Sequence, residues 1–300
     1  QTPARSEAFS MNTGSTRGII LMASGMFLFS AVDTMCKVLT ETFHPVQILW
    51  FRQLGLLGGV LIYLSFKGLS VLRTNQLGLQ ILRGFSAIVS ACSFIIALRY
   101  LPLAEAVAVS FVAPFFVVLM SAWILKEKIG MRRGFSVLAG FVGALIITRP
   151  GLGVFDPATI LVLIAAFAFA GRQVLSRFLS DLDNLSTTIT YTALTCSCAV
   201  TLILPFVWSL PASGREWLLL LGIAIIAGLG ELCIIKALNV AQAVVVAPVQ
   251  YTLIIWGTFY GYMIFGNLPD FFTLFGAVII AISGLYALRQ EAREPLTQSL

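Results

Sequence analysis

The sequence predicts an all-α integral membrane protein with ten transmembrane helices in two inverted-topology five-helix repeats. Three observations carry this prediction: the composition, the number of long apolar runs, and an internal repeat. Of the 300 residues, 59% are hydrophobic and 11% are charged, and the mean hydropathy is +0.97. Soluble chains average about 45–50% apolar and about 25% charged residues, so this chain lacks the charged surface that a soluble domain of its size needs.

The same composition excludes several other classes of protein. The 23 Phe residues do not fit a disordered or collagen-like chain, and five dispersed Cys do not fit a disulfide framework. The net charge is +6, but the basic residues do not form one stripe, so we expect no nucleic-acid partner.

Ten apolar runs are candidates for membrane-spanning helices, each of which needs roughly 20 apolar residues to cross about 30 Å of hydrocarbon. The runs are continuous, whereas the strands of an outer-membrane barrel alternate apolar and polar residues. The fifth run is the shortest, and residues 131–133 extend it. In chain order the predicted spans are 18–40, 45–66, 78–98, 102–125, 134–148, 157–179, 187–209, 217–238, 243–265 and 271–288.

The spans divide the chain into two halves with a tail at each end. We predict an N-terminal tail over 1–17, a first repeat over 18–148, a second repeat over 157–288 and a C-terminal tail over 289–300. Cytoplasmic loops carry an excess of Lys and Arg. With the N-terminus inside, the outer side holds only Arg99, Arg149 and Arg215. Both tails are therefore predicted to be cytoplasmic, in a cell inner (plasma) membrane.

An internal repeat appears when the chain is aligned with itself so that residue 26 meets residue 166. We call this shift the repeat offset. Residues 26–31 then match 166–171, residues 94–98 match 234–238, and Lys37 meets Arg177. After a change in loop length the shift becomes slightly smaller, so that residues 106–109 match 243–246 and Gly140 meets Gly276.

Five spans in each half is an odd number, so the second half enters the membrane upside down relative to the first. Inverted repeats are common in secondary transporters, in which the substrate site lies between the halves near the bilayer midplane. The repeat therefore favours transport by alternating access. A duplicated scaffold without transport is the alternative.

Several motifs identify the chain with a known family. Residues 97–106 (ALRYLPLAEA), leading to Ala113-Pro114, resemble the junction of the third and fourth helices in EamA-type members of the drug/metabolite transporter superfamily. Lys126-Glu127-Lys128 and residues 140–143 (GFVG) resemble the same family, as does the second-half segment from residues 241–243 through Ala247-Pro248 to Tyr251. The resemblance covers residues 18–289 and implies ten helices, a central cavity, and export or import of small organic solutes.

One position departs from the resemblance. Glu231 follows Gly228-Leu229-Gly230 at a place where related sequences often have His. A carboxylate there reverses the local charge preference, which bears on both substrate and coupling ion.

Charged residues inside the spans are the first candidates for a site, because a charge at the bilayer centre costs about 2.5–3.5 kcal/mol on insertion scales. Asp33 and Lys37 are four residues apart, so they either pair on one helix face or line the cavity. Arg52, beside Trp50, either binds a substrate carboxylate or phosphate or extends to the membrane interface. For Arg83, extension to the interface is the favoured interpretation.

Arg172 and Glu231 are the strongest candidates for the cavity. Arg172, with Gln173 beside it, lies in the middle of the sixth span, and Glu231 lies near the middle of the eighth. A Gly-rich stretch next to Glu231 permits close helix approach. In the alternative, the two opposite charges bridge each other. Only Asp33 and Glu231 among the carboxylates lie deep enough to take up a proton during transport.

Aromatic side chains lie on the fourth and ninth spans, which occupy matching places in the two halves. With four-residue spacing such side chains stack along one helix face, either as packing or as a pocket suited to planar substrates. Gln250 lies beside Pro248, which removes a backbone donor and opens a polar kink. The aromatic candidates are Phe111, Phe115, Tyr251, Trp256 and Tyr260.

Enzymatic activity is not expected. The chain has no Walker motif, and its only histidine, His44, lies in a short loop. We therefore expect neither a cofactor nor a metal site. The expected partners are a small-molecule substrate and the lipid bilayer. The GxxxG element over residues 257–261 serves either homodimerisation or packing within the chain, and a monomer is sufficient.

The sequence thus predicts a secondary active or facilitative transporter of small polar organic metabolites. The resemblance favours amino acids or related compounds, moved by export across the inner membrane. A vitamin importer such as a riboflavin transporter of the same family is the first alternative, and a passive channel is the second.

Overall fold

The computed structural model describes residues 3–124, 131–148, 156–180, 182–240 and 247–293. These residues form helices joined by short linkers. The α-helices are α1 (Pro3–Leu39), α2 (Pro45–Lys67), α3 (Leu77–Leu98), α4 (Leu103–Ser110), α5 (Ala113–Ile124), α6 (Met131–Thr148), α7 (Ala158–Leu179), α8 (Leu185–Ile203), α9 (Gly214–Val240), α10 (Thr252–Phe265) and α11 (Phe271–Arg293). Short 3-10 segments lie at Leu69–Leu72, Leu204–Phe206 and Ala247–Tyr251.

Some predicted features fall outside the described residues. They are Lys126-Glu127-Lys128, Arg149, residues 241–243 of the family motif, one or a few residues at an edge of the fourth and ninth spans, and the chain ends at 1–2 and 294–300.

Seven stretches of the described residues are long and apolar enough to cross a membrane. They are Thr16–Leu39, Pro45–Lys67, Leu77–Leu98, Leu103–Ile124, Ala158–Leu179, Leu185–Phe206 and Gly214–Ala237. The all-helical membrane class predicted from composition is therefore confirmed. Many apolar side chains point away from the protein, and Phe66, Trp123 and Phe206 are more than four-fifths exposed, as suits contact with lipid.

In the other three predicted spans, the apolar helix among the described residues is shorter than a full crossing. The apolar part of α6 is Leu138–Ile147, that of α11 is Phe271–Ser283, and α10 has 14 residues. Ten crossing helices therefore stay a prediction. The first helix is instead longer than its predicted span. It begins at Pro3, within the predicted tail, and its apolar part begins at Thr16.

The fourth predicted span is broken in its middle. The α-helical pattern stops after Ser110 and resumes at Ala113, and the N–H groups of Phe111 and Val112 bond to carbonyls three residues back. Pro114 explains the break, because its ring clashes with the carbonyl four residues earlier and it donates no hydrogen bond. The ninth span is interrupted at the matching place, where Ala247–Tyr251 is a 3-10 segment that contains Pro248.

The packing of the helices repeats at the same offset as the sequence. Helix α1 packs against α9 and α10, as α7 packs against α3 and α5; α2 packs against α9, as α8 packs against α3. Phe27 of α1 meets Trp256 edge to face at 5.0 Å between centroids, and Phe167 of α7 meets Phe116 edge to face at 5.6 Å. The repeat offset separates Phe27 from Phe167, and their partners Trp256 and Phe116 lie on the ninth and fourth spans, which occupy matching places in the two halves. The sequence repeat is thus matched by equivalent contacts.

Helices at equivalent places in the two halves run antiparallel where they meet. The start of α2 lies near the end of α8, since Gln47 bonds to Ser209, and the linker after α2 lies beside the start of α8, since Tyr191 bonds to the Leu72 carbonyl. Helices α6 and α11 cross at Gly143 and Gly276, each so close that a Cβ on it would meet the backbone of the other.

Candidate functional site

Five charged side chains from five helices lie close together inside the bundle. We call them the charged cluster: Asp33 of α1, Arg52 of α2, Arg83 of α3, Arg172 of α7 and Glu231 of α9. Arg172 is within electrostatic range of Glu231 and Arg52, and Arg83 is within range of Arg172 and Glu231. Such charges are costly inside a membrane and usually face the bundle interior or a wet cavity.

Asp33 and Arg52 form an ion pair. The Arg52 Nη1 atom lies 3.2 Å from Asp33 Oδ1, and the two side chains are 21% and 7% exposed, Arg52 being the more exposed. The Arg52 guanidinium also lies over the Phe29 ring, 5.6 Å from its centroid. The interpretation in which Arg52 extends to the membrane interface is therefore wrong, because a buried carboxylate and an aromatic face hold its guanidinium inside the bundle.

Lys37 is held elsewhere, so the alternative in which it pairs with Asp33 does not form. Its Nζ donates hydrogen bonds to the carbonyls of Leu98 and Leu101, at 2.7 and 2.5 Å. The nitrogen also lies 5.4 Å from the centroid of the Phe265 ring. The last carbonyls of a helix have no partner within it and carry partial negative charge, which is why the lysine caps the end of α3.

Arg83 is buried, and its favoured interpretation as an interfacial residue is wrong. Its Nε donates to Ser176 Oγ at 2.7 Å, and its Nη1 donates to the Thr188 carbonyl at 3.3 Å and to the Thr192 hydroxyl. These bonds join α3 to α7 and α8. Neutral hydroxyls and a carbonyl compensate the cost of burying the guanidinium.

Arg172 lacks a comparable set of partners. Its guanidinium lies over the Phe169 ring at 4.8 Å, and its Nε is buried without a hydrogen-bond acceptor. Its guanidinium makes no ion pair with a described residue, whereas that of Arg52 pairs with Asp33. A buried arginine donor without an acceptor is costly and is suited to an anionic ligand.

Glu231 supplies a negative charge to the same site. The side chain is half-buried, and no hydrogen bond or ion pair ties it to the described part of the chain. The alternative in which Arg172 and Glu231 bridge each other directly is therefore not what the structure contains. The two charges remain within electrostatic range, so a ligand between them meets one positive and one negative group.

Phe29 and Phe169 give the two arginines equivalent settings. The repeat offset separates the two phenylalanines, and each ring carries a guanidinium on its face, that of Arg52 in the first half and that of Arg172 in the second. Within the described residues, Arg52 has a carboxylate partner and Arg172 has none. Among the described residues, a carboxylate therefore compensates the charge of Arg52, whereas the equivalent charge of Arg172 has no carboxylate partner.

The predicted aromatic residues separate into two groups. Phe111 and Tyr251 stack with centroids 4.8 Å apart and planes 28° apart, at the two breaks in the fourth and ninth spans. Trp256 packs on Phe27, and its Nε1 is buried without a partner. These three side chains stay candidates for the cavity wall.

The other predicted residues have partners or surroundings of other kinds. Phe115 is buried with its ring against Gly140, so it belongs to the packed core. The Trp50 indole donates to Thr201 Oγ1 at 2.9 Å and meets the Trp208 ring, in an aromatic group at the start of α2. Gln173 and Gln250 are exposed. Tyr260 packs against the Phe27 ring at 5.6 Å.

Sequence reasoning missed the hydroxyls that hold Arg83. These are the hydroxyls of Ser176 on α7 and Thr192 on α8. Thr188 lies four residues before Thr192 on the same face, and this spacing of threonines opposite an intramembrane arginine was a usable signal.

The chain is similar to known transporters along most of its length. The sequence pattern of the EamA-like transporter family matches residues 16–149 and again residues 156–289. The pseudopaline exporter CntI of Pseudomonas aeruginosa is 28% identical over 89% of this chain and 94% of its own. A riboflavin transporter of Vibrio cholerae is 32% identical over 78% of this chain and 80% of its own.

Two further similarities agree with these. An S-adenosylmethionine uptake transporter of Rickettsia bellii is 27% identical over 90% of this chain and 94% of its own. A protein of known crystal structure matches with a TM-score of 0.59 and 17% identity, over 93% of this chain and 98% of that one. At that identity the match concerns the fold alone.

Proposed function

Because this chain belongs to the EamA-like transporter family, we propose that it carries small metabolites bearing both a carboxylate and an amine across the inner membrane by alternating access. The general class follows from the family and the relatives: the chain is a multi-pass membrane transporter of small molecules and not an enzyme. The substrate, the direction and the mechanism are the proposal.

One observation carries the choice of substrate. Arg172 offers a buried donor without an acceptor, and Glu231 offers a carboxylate without a partner among the described residues, within electrostatic range of each other. A zwitterion satisfies both at once, with its carboxylate on Arg172 and its ammonium on Glu231. Amino acids and related compounds have this chemistry. The apolar remainder of such a substrate would lie against the aromatic wall of Phe111, Tyr251 and Trp256.

The proposed architecture is ten crossing helices in two inverted repeats, over 18–148 and 157–288, with both tails cytoplasmic. It is supported by the equivalent contacts at the repeat offset and by the antiparallel meeting of equivalent helices. The breaks at Phe111 and Tyr251 also fit, since transporters place discontinuous helices at their substrate sites. The asymmetry of Lys and Arg supports the orientation.

Export is the proposed direction, and the similarity to the pseudopaline exporter supports it. Import of a planar vitamin is the second candidate. The similarity to a riboflavin transporter favours it, as does the stacked pair of Phe111 and Tyr251, whose rings are suited to a planar solute.

Binding to the purified protein tests the substrate class. A ligand that binds only the folded protein raises its melting temperature. We expect alanine, methionine or glutamine to raise it, and the N-acetyl and ester forms of the same compound, which each lack one charge, to raise it much less. A rise with riboflavin alone would instead support the vitamin importer.

Variants with matched controls assign the binding to Arg172 and Glu231. Arg172→Gln should weaken binding at least about a hundredfold, because a pair of charge-assisted hydrogen bonds contributes ~3 kcal/mol or more. Glu231→Gln should weaken binding of the amine-bearing forms. Arg99→Gln and Glu41→Gln change exposed charges and should bind as the wild type does. Equal affinities in all four variants would remove the charged cluster from the site.

A further inference from the structure

A polar pocket opens at one end of the bundle, away from the charged cluster. It has a volume of about 720 Å³ and lies between the linker that follows α2 and the linker that follows α7. Pockets of this size hold small ligands. We call it the Asp183 pocket, and its polar lining residues are Arg73, Thr74, Asn75, Ser180, Asp183 and Asn184.

Asp183 fastens the two linkers together. Its Oδ2 accepts hydrogen bonds from Thr74 Oγ1 at 2.6 Å and from Gln80 Nε2 at 2.7 Å. Its Oδ1 accepts none from the described residues, so one oxygen of the carboxylate is open to a ligand. Arg73 is exposed in the wall of the same pocket. The pocket therefore presents one negative and one positive charge, as the charged cluster does.

A chain of hydrogen bonds leads from this pocket to Arg172. Gln80 Nε2 also donates to Thr188 Oγ1 at 3.2 Å, and Arg83 donates to the Thr188 carbonyl at 3.3 Å. Arg83 further donates to Ser176, whose Oγ donates to the Arg172 carbonyl at 2.6 Å. Polar groups thus follow one another from the end of the bundle to the central arginine.

Gln80 is the buried link of this chain and is incompletely satisfied. The residue is fully buried, and its Oε1 has no hydrogen-bond partner. A buried amide oxygen without a donor is costly, and a passing ammonium group is a donor that would satisfy it.

We propose that the Asp183 pocket is the vestibule of the central site, and that the bonds of Asp183 to Thr74 and Gln80 are its gate. The vestibule takes the same zwitterion, with the carboxylate on Arg73 and the ammonium on Asp183. The ammonium binds the open Oδ1 and draws the negative charge of the carboxylate away from Oδ2, so ligand binding weakens the bonds to Thr74 and Gln80 that form the gate. This inference rests on the proposed function for the identity of the ligand.

At the opposite end of the bundle, a second set of hydrogen bonds joins the start of α2 to the segment that follows α8. Gln47 is fully buried, donates to the Ser209 carbonyl at 2.8 Å, and accepts from the Ser209 N–H at 2.9 Å and from its hydroxyl at 3.2 Å. Alternating access requires that one end opens while the other stays closed. The bonds of Asp183 at one end and those of Gln47 at the other are therefore matched sites for substitution.

Cys196 reports on the gate without any need for transport. It is buried on α8, one turn beyond Thr192, and bonds to the Gly84 carbonyl at 3.4 Å. A full-length chain that keeps Cys196 and replaces Cys36, Cys92, Cys198 and Cys233 by Ser is reconstituted in vesicles. A membrane-impermeant thiol reagent is then applied to one face at a time.

We expect Asp183→Ala to speed labelling of Cys196 about tenfold or more from the face of the Asp183 pocket, because two charge-assisted hydrogen bonds are lost. Thr74→Val, which removes one donor and keeps the shape, should give a smaller increase and serves if Asp183→Ala fails to insert. Gln47→Ala should speed labelling from the opposite face. Unchanged labelling in Asp183→Ala and Thr74→Val, or faster labelling from the opposite face, would overturn the gate.

In a second labelling experiment, alanine, methionine or glutamine is added alone before the thiol reagent. Each compound that binds should speed labelling from the pocket face, and Arg73→Gln should lose this effect. An equal effect in Arg73→Gln would overturn the vestibule. The outcomes separate the two proposals, because normal zwitterion binding in Arg172→Gln contradicts the central site whatever the labelling shows.

Discussion

Phe111 and Tyr251 stack on each other, with ring centroids 4.8 Å apart and planes inclined by 28°. Phe111 lies on the fourth span and Tyr251 on the ninth, which occupy matching places in the two halves. Phe111 directly follows α4 in the broken fourth span, and Tyr251 directly precedes α10. The contact therefore joins the two halves where both helices are interrupted.

Replacing both rings tests this contact. Phe111→Ala and Tyr251→Ala should each destabilise the protein, and the double variant should show a coupling of about 0.5–1.5 kcal/mol, the value of an aromatic pair. Tyr251→Phe keeps the ring and should retain stability. The free energy of unfolding in detergent measures all four, and additive single effects would show that the rings are not coupled.

The ion pair of Asp33 with Arg52 predicts an asymmetric response to neutralisation. Asp33→Asn leaves a buried arginine without its partner, so we expect a loss of about 3–5 kcal/mol. Asp33→Asn combined with Arg52→Gln removes both charges and should recover much of that loss. Thermal unfolding of the single and double variants checks this, and a double variant less stable than either single would contradict it.

Close contact between α2 and α9 depends on Gly55. A Cβ at Gly55 would fall on the Ala224 carbonyl oxygen, so Gly55→Ala should force the helices apart and cost about 1–3 kcal/mol. Gly58 lies on the same helix with no atom within 4 Å of such a Cβ, and Gly58→Ala should leave stability unchanged or slightly raised. Equal melting temperatures for the two variants would be inconsistent with this packing.

We expect transport to be coupled to protons through Glu231. The Asp33 carboxylate is engaged by the guanidinium of Arg52 at 3.2 Å, whereas Glu231 has no such partner among the described residues. An imposed pH gradient should therefore change the transport rate of the wild type, and Glu231→Gln should abolish that change. A flat response in the wild type would assign transport to a facilitative carrier.

Much of the fold could be predicted from the sequence because membrane helices must be long and apolar. All ten predicted spans contain helix, and the repeat offset reappears in the contacts of Phe27 and Phe167. The break near Phe111 was not predicted, although Pro114 was visible. A proline within a helical run leaves open whether the helix bends, tightens or stops.

The partners of the charged residues were harder to predict. Periodicity places Asp33 and Lys37 on one face, but it does not show which neighbouring helix supplies a better partner. Arg52 and the end of α3 supply these partners. The position of Arg83 near the start of its helix likewise suggested that its side chain reaches the interface. The hydroxyls that hold it inside the bundle come from α7 and α8, and the sequence of α3 alone does not reveal them.

Exchange across reconstituted vesicles tests the central claim most directly, namely that Arg172 and Glu231 bind a zwitterion in a carrier that opens to one side at a time. Vesicles preloaded with an unlabelled amino acid that binds are given a trace of the labelled compound outside. The account predicts saturable accumulation of label in the wild type, lost in Arg172→Gln and kept in Arg99→Gln. Uptake that never saturates and ignores the preload would contradict it, since a passive channel behaves in that way.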